Sequence, residues 1–496
     1  MNLNNVKNIF IYQLAFITSN IISLIFIPIF TRILSPQEYG IIALIVALPL
    51  LINSFLSGGV SYAIPRYYFK YRNDTDKVSE LFFSNGLFLL AGFLVGLPII
   101  FFFRKNLAMI SMGSENYGWA FFCAFINSFV FSVVTLYLNL YQNMEKAWKY
   151  CKYNISYFTI SNVLGLVFIW KFSLSYIGII YAQLFTSVAL FFLMTADFIY
   201  CYPFKFNMQK IIETLKYGIP ILPKNISGMI NKYFDKYLIM GMLSLSGVGI
   251  YNIGQNLGNK LFIMMGAIYF AFYPFFMKEI FDKGEDAATS LGRNFTYFAY
   301  LSLGSILLII LFSKEIFSFL VPPAYWSSIN VFLIVSLGVS TQTFGKFIGV
   351  QMSYAKKAYY FFPISLMGLA VNILLNIFLI PRWGILGAAV AFTITIIITN
   401  ITLINLAQHF YKVLYEWKNL GWFYFLLLLT MFQSLFYFNF AYPFIVSLGI
   451  RILLVLSFLL AGVHAKIITR DRIRFFYAIG IKKINERFAS KKIGMK

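Results

Sequence analysis

The sequence predicts an all-α integral membrane protein of about fourteen transmembrane helices. Two six-helix lobes, related by a pseudo-two-fold axis along the membrane normal, precede two C-terminal helices. Three observations carry this prediction. Of 496 residues, 60% are hydrophobic and only 11% charged, whereas soluble domains carry about a quarter charged residues. The Lys and Arg residues separate onto alternate sides of the apolar runs. A weak internal repeat recurs at one offset. The formal charge of +23 would point to nucleic acid in a soluble protein; here most of it is topology, and no nucleic-acid partner is expected.

Long apolar runs bounded by charges or turn residues place spans at 8–30, 41–65, 81–103, 117–138, 155–172 and 176–200. A second group of six follows at 217–243, 248–276, 295–312, 329–354, 360–380 and 384–407, with two more at 420–440 and 442–463. Fourteen spans of roughly 20 residues leave only loops and tails. The first run is too long for a signal-peptide core and lacks a small-residue cleavage site, so it is expected to stay as an anchor.

With the N-terminus inside, the cytoplasmic segments hold 28 Lys and Arg, ten of them from Lys466 to Lys496. The external loops hold six: Arg32, Arg104, Lys105, Lys171, Lys314 and Arg382. This is the asymmetry of the positive-inside rule, and one miscounted span would destroy it. The expectation is a bacterial cytoplasmic (inner) membrane with both termini cytoplasmic. The basic tail at 466–496 could also lie on anionic membrane lipid.

The segment Leu34 to Ile41 resembles Leu243 to Ile250, and Gly178 to Ala182 resembles Gly387 to Ala391, both 209 residues apart and at matching places in their groups of six. Parallel repeats of this kind place a substrate between two halves. The expected units are lobes at 1–204 and 205–408, a helix pair at 409–465 and the tail at 466–496.

Other chemistry has little material. Cys123 falls inside a span, and Cys151 and Cys201 at cytoplasmic ends where thiols stay reduced, so neither disulfide nor metal site is expected. His409 and His464 are the only histidines. A membrane glycosyltransferase would want acids in a sizeable external loop, where this chain has only Glu38, Glu115 and Glu315. The Asp74-Thr75-Asp76 triplet has metal-nucleotide spacing but reads as a solvated cytoplasmic loop. No enzyme is expected, and no cofactor.

The run from Pro28 through Thr31-Arg32-Ile33-Leu34-Ser35-Pro36-Gln37-Glu38-Tyr39-Gly40 resembles the start of the polysaccharide transporters, the O-antigen and capsule flippases called Wzx. So do Gly218-Ile219-Pro220-Ile221-Leu222-Pro223, Asp235-Lys236-Tyr237 and Gly249-Ile250-Tyr251. The resemblance implies the fold shared with MATE exporters and the lipid II flippase, a V of two lobes opening alternately to each side. It also implies a substrate, an undecaprenyl-diphosphate-linked oligosaccharide moved to the external leaflet, and association with polysaccharide assembly proteins. Family pattern further implies that Arg66 helps admit the headgroup from the cytoplasm.

Six cations remain within spans: Lys224, Lys232, Lys236, Lys260, Lys346 and Arg451. At a lipid-facing centre each would cost about 2.5 to 3.5 kcal/mol, so such residues face a cavity or a partner. Lys224, Gly228, Asn231, Lys232 and Asp235 follow helical steps on one face, expected to line the cleft. With Lys260 and Lys236 they would form a positive field for a diphosphate or acidic sugar. Asp235 is the only carboxylate well inside a span. Its expected role is either simple neutralisation with Lys232, three residues before it, or a coupling site for Na+ or H+. Pro220 and Pro223 should break or kink span seven, as a hinge or merely as its beginning. Gln13, Asn20, Asn127 and Asn372 are available for sugar hydroxyls or for interhelical hydrogen bonds. Lys346 and Arg451 could line the cavity or snorkel.

The expected function is therefore a flippase whose cationic cleft holds the anionic headgroup while the lipid tail stays at a lobe gap or against spans thirteen and fourteen. The rivals are a MATE-like drug/cation antiporter, which would want an acidic cavity, and a flippase for lipid II itself.

Overall fold

The computed structural model describes residues 3–440 and 443–469, and among these the secondary structure is helical, with no strand. The first group comprises α1 (Leu3–Ile33), α2 (Pro36–Ile45), α3 (Ala47–Leu56), α4 (Val60–Tyr71), α5 (Thr75–Met112), α6 (Gly118–Asn143), α7 (Ala147–Phe172) and α8 (Tyr176–Cys201). There follow α9 (Met208–Met242), α10 (Leu245–Lys283), α11 (Ala288–Leu311), the short α12 (Ser313–Leu320) and α13 (Ser328–Tyr354). The chain continues with α14 (Phe361–Trp383), α15 (Ile385–Phe410), α16 (Trp417–Asn439) and α17 (Phe444–His464).

The protein is an all-α, multi-pass membrane protein. Each apolar run of the sequence falls on one of these helices, except that span two falls across α2, α3 and α4. Twelve stretches among the described residues are long and apolar enough to cross a membrane. Two features separate that number from the fourteen runs. Leu245–Leu311 is one apolar stretch containing both α10 and α11. The second is α9, 35 residues long but absent from the twelve, because Lys224, Lys232, Asp235 and Lys236 lower its hydropathy.

Span two, a single apolar run in the sequence, is broken in the structure, and its breaks have local causes. Pro49 lacks the amide that would reach the Ile45 carbonyl, and the chain turns at Val46, between α2 and α3. Gly58 and Gly59 both take positive φ, at 57° and 73°, a backbone that glycine adopts without a Cβ penalty. The Ser35 to Glu38 motif is a reciprocal cap on α2: the Ser35 amide donates to Glu38 Oε2 at 2.7 Å, and the Glu38 amide to Ser35 Oγ at 3.3 Å. Glu38 Oε1 accepts from Ser175, which caps α8. One carboxylate thus anchors two helix starts. Asp74, in the metal-nucleotide-like triplet, is likewise a cap: its Oδ1 accepts from the Asp76 and Lys77 amides at 3.1 Å each. Its bond with the Lys77 ammonium, 3.0 Å away, holds the Asp74 carboxyl below its ordinary range.

The chain divides into two compact units. One holds the described residues up to Lys260, with Ile316–Gly338 and Tyr359–Thr402; the other holds Leu261–Glu315, Val339–Ala358 and the described residues from Leu403 onward. In the first, α6 is the central helix, with Phe121, Phe125 and Val134 fully buried. The α6 and α7 ends are pinned to α8 at Asp197, which accepts from Lys149 Nζ at 2.6 Å and from the Tyr141 hydroxyl at 2.5 Å. In the second, Arg451 is buried and donates to Glu315 Oε1 at 2.8 Å, its guanidinium 4.7 Å above the Tyr437 ring. Arg451 therefore ties α17 to α12. Lys346 sits 3.9 Å over the Phe262 ring. Of the expected basic tail, all beyond residue 469 lies outside the described residues.

Candidate functional site

The α9–α10 helical hairpin of the first unit carries a buried carboxylate and a buried ammonium side by side, Asp235 and Lys236. Its two helices are joined by Leu243 and Ser244 alone, so Asp235 and Lys236 come level with Tyr251 and Asn252. Asp235, 1% exposed, accepts from the Tyr251 hydroxyl, from Gln255 Nε2 at 2.9 Å and from the Lys236 amide at 2.8 Å. Gln255 Nε2 also reaches Tyr251 Oη at 3.0 Å. A buried carboxylate is tolerated when its lone pairs are filled in this way.

Lys236 is buried beside it, and its ammonium donates to Asn252 Oδ1 at 2.8 Å, which also accepts from Asn256 at 3.1 Å. Asn252, Asn256 and Lys260 recur every four residues, forming one polar stripe on α10. At its end Lys260 Nζ donates to Asn20 Oδ1 of α1 at 2.7 Å. A second stripe runs along α9 through Lys224, Gly228, Lys232 and Lys236. The first three are exposed, and a Cβ on Gly228 would meet nothing within 4 Å. Neither Lys224 nor Lys232 has a carboxylate partner among the described residues. Lys232 Nζ instead lies 5.1 Å from the Tyr233 ring centre.

The expected Lys232–Asp235 pair does not form. Three residues along a helix is close enough for contact, but Asp235 points to the buried side, where Tyr251 and Gln255 take its oxygens, while Lys232 stays on the open side. The α9 helix also runs unbroken through Pro220 and Pro223, so of the expected break or kink the break is absent. What the prolines remove is the pair of amides that would bond the Lys216 and Ile219 carbonyls.

Arg66 lies apart from the lysines. Its guanidinium is stacked 4.5 Å over Tyr217, two turns before Lys224 on α9. There α4 and α9 meet backbone to backbone: a Cβ on Gly218 would lie 2.7 Å from the Gly59 carbonyl oxygen. Tyr67 donates to the Glu213 carbonyl at 3.0 Å and Tyr71 to its carboxylate at 2.6 Å. The opposite end of the hairpin meets α2 just as closely, at Gly40 and Gly249. Of the neutral candidates, Asn20 serves Lys260, Asn127 accepts from Ser187 at 2.8 Å, and Asn372 accepts from Asn376 through its carbonyl and its Oδ1.

Sequence reading missed Tyr251, Gln255, Asn252 and Asn256. Their signal was present as two polar pairs spaced by four in an apolar run, the helical form of a buried stripe.

Comparison with known proteins agrees with this architecture. The uncharacterized membrane protein MJ1068 of Methanocaldococcus jannaschii is 26% identical over 196 residues, a match spanning 38% of each chain. The lipid II flippase MurJ, in an inward closed conformation, superposes with a TM-score of 0.67 at 16% identity, covering 92% of this chain and 98% of that one. An inward-facing MATE multidrug resistance transporter of the MOP superfamily superposes at 0.64 and 12% identity, covering 79% and 94%. These similarities give the fold. The family model described as "Polysaccharide biosynthesis protein" matches residues 5–279, more than half of the sequence and the whole of the α9–α10 lysine site, so the chain belongs to the polysaccharide biosynthesis protein family.

Proposed function

We propose that the protein is a flippase that moves an undecaprenyl-diphosphate-linked oligosaccharide, an O-antigen or capsule repeat unit, from the cytoplasmic to the external leaflet of a bacterial inner membrane. Both termini face the cytoplasm in this reading, and residues 1–204 and 205–408 act as repeat-related lobes that alternate access, with 409–465 as an added helix pair. The observation that carries it is the open α9 stripe: Lys224 and Lys232 are exposed on α9 and lack carboxylate partners among the described residues. Cations so placed need a counter-charge in a low dielectric, and a diphosphate supplies it. Lys260 adds to the same field through the neighbouring helix, and Arg66 receives the headgroup near the α4–α9 contact.

Asp235 serves as the coupling site. Protonation, or Na+ in place of the Tyr251 and Gln255 donors, would release those donors and loosen the α9–α10 hairpin, with Pro220 and Pro223 as the hinge. Lipid tails have a groove of about 430 Å³ between α16 and α17, lined by Trp422, Leu426 and Leu460 among others. A MATE-like cation antiporter is the less favoured reading, because a cationic substrate would be repelled by the lysine stripe.

The deciding experiment follows transbilayer movement of a fluorescent undecaprenyl-diphosphate oligosaccharide in proteoliposomes. Wild type should move it, and the Lys224→Ala/Lys232→Ala double variant, still folded, should lose about tenfold or more in rate. Export of cationic dyes with no movement of any such lipid would overturn the proposal.

A further inference from the structure

A second polar site lies outside the lysine stripes. A cavity of about 390 Å³ opens among α1, the α2–α3 joint, α6, α7 and α8, and no residue of α9 or α10 lines it. Its polar lining is Ser23, Asn127, Ser128, Ser161, Asn162 and Gln183, and among the described residues no charged side chain contributes.

The amides there are incompletely satisfied. Asn127 Oδ1 accepts from Ser187, leaving its amide donors without a partner among the described residues. Asn162 donates to the Phe158 carbonyl at 2.6 Å, leaving its own Oδ1 open. Gln183 makes no hydrogen bond with any described residue. Asn127 is buried and Asn162 and Gln183 are half-buried, so each amide would carry a desolvation cost if nothing met it. The cavity has an aromatic side as well: Phe131, Tyr157 and Phe158 line it, the first two with ring centres 4.6 Å apart. Beside it α2 breaks at Val46, and Val46 and Leu50 are wall residues; interrupted helices at mid-membrane accompany binding sites in transport folds.

We propose that this cavity is a saccharide subsite that holds one neutral sugar ring. Hydroxyls both donate and accept, which matches the open donors of Asn127, the open acceptor of Asn162 and both ends of Gln183. The apolar face of a sugar suits the aromatic wall. An anion or cation would enter without a counter-charge, which a low-dielectric site penalises. The volume falls within the about 300 to 1,000 Å³ usual for small-molecule pockets. The inference rests on the flippase reading only for the source of the sugar, the carbohydrate portion of the transported lipid.

The test is saturation-transfer NMR on the full chain in lipid nanodiscs, which avoids sugar-headed detergents. Galactose and N-acetylglucosamine are the neutral probes and glucuronate the anionic one. At least one neutral sugar should show transfer from wild type, with glucuronate far weaker. Gln183→Leu should reduce the affinity about tenfold, and its fold should survive because the side chain bonds no described residue. Asn162→Ala should weaken binding as well, and Lys224→Ala/Lys232→Ala should leave it unchanged. Absence of transfer from both neutral sugars, or transfer unaffected by Gln183→Leu and Asn162→Ala, would reduce the cavity to a water pocket and overturn the subsite. Lipid movement without sugar binding would remove the subsite and leave the flippase standing. Sugar binding that depends on Gln183, without lipid movement, would keep the subsite and remove the flippase.

Discussion

Gly40 and Gly249 face each other across α2 and α10 in a reciprocal backbone contact. A Cβ on Gly40 would lie 2.0 Å from the Leu245 carbonyl oxygen, and a Cβ on Gly249 would lie 1.9 Å from the Pro36 carbonyl oxygen. Both Gly40 and Gly249, and likewise Pro36 and Leu245, are separated by the 209-residue offset of the internal repeat. Each element therefore presents the same position to the other, the signature of a local two-fold relation. The weak sequence match thus marks a contact: the residues it preserves are those that must lack side chains or begin a helix where two repeat-related helices touch.

A methyl group at either glycine cannot fit without separating the helices. Gly40→Ala and Gly249→Ala should each destabilise this conformation by about 1 to 3 kcal/mol, the usual cost of overpacking. Gly86→Ala is the control, since a Cβ there meets nothing within 4 Å. Thermal unfolding in nanodiscs should show a lowered midpoint for the first two variants and none for the control. Equal midpoints for all three would mean that α2 and α10 are not held together here.

The Asp235 network gives a second expectation. Tyr251→Phe removes one donor from a buried carboxylate while keeping the ring, and should cost about 1 to 3 kcal/mol. Asp235→Asn keeps the shape but removes the charge. If Asp235 is the coupling site, Asp235→Asn abolishes the dependence of lipid movement on a Na+ or proton gradient, while Tyr251→Phe only shifts it. Gradient dependence retained in Asp235→Asn would make the network structural.

How legible these features were in sequence follows from the range of the interactions. Apolar runs locate the helices because a helix satisfies its backbone within the segment, and α9 was legible as a span despite its charges because its neighbours and the positive-inside asymmetry required one. The breaks at Val46 and Gly58 escaped because hydropathy averages over them. Asp235 was legible as an unusual carboxylate, but its partners were not. The local rule pointed to Lys232 on the same helix, whereas Tyr251 and Gln255 come from the next one and are chosen by the rotation of α9 about its axis. The cavity at Gln183 needs five elements to come together, and no short spacing encodes it.

Arg451 and Glu315 give an asymmetric prediction. The Arg451 side chain is 4% exposed and that of Glu315 is 41%. Glu315→Ala leaves the guanidinium buried without this carboxylate, whereas Arg451→Met replaces it with an apolar chain of similar length. Removing one partner of a buried pair is worse than replacing the charge by packing, so Glu315→Ala should be the more destabilising by about 1 to 3 kcal/mol, reduced from the fully buried case by the exposure of the carboxylate. The order of the two unfolding midpoints in nanodiscs is the measurement, and the reverse order would show that the pair does not hold α17 to α12.

Lys260 separates a structural from a functional role most cleanly. Its ammonium donates to Asn20 at 2.7 Å, a charged hydrogen bond between α10 and α1 worth about 1.5 to 3 kcal/mol. Lys260→Gln can still donate to Asn20 through its amide but carries no charge. Asn20→Ala has the opposite effect, keeping the ammonium and deleting the acceptor. If the lysine serves only to join the helices, Asn20→Ala is the damaging change and Lys260→Gln is nearly silent in both stability and transport. If the ammonium supplies field for an anionic headgroup, Lys260→Gln keeps its unfolding midpoint but loses about tenfold in transport, while Asn20→Ala loses stability and retains transport at temperatures where it is folded. The second pattern is expected, because the stripe of Asn252, Asn256 and Lys260 ends on the same hairpin as the open lysines of α9, and a cation placed there for packing alone could have been a neutral amide.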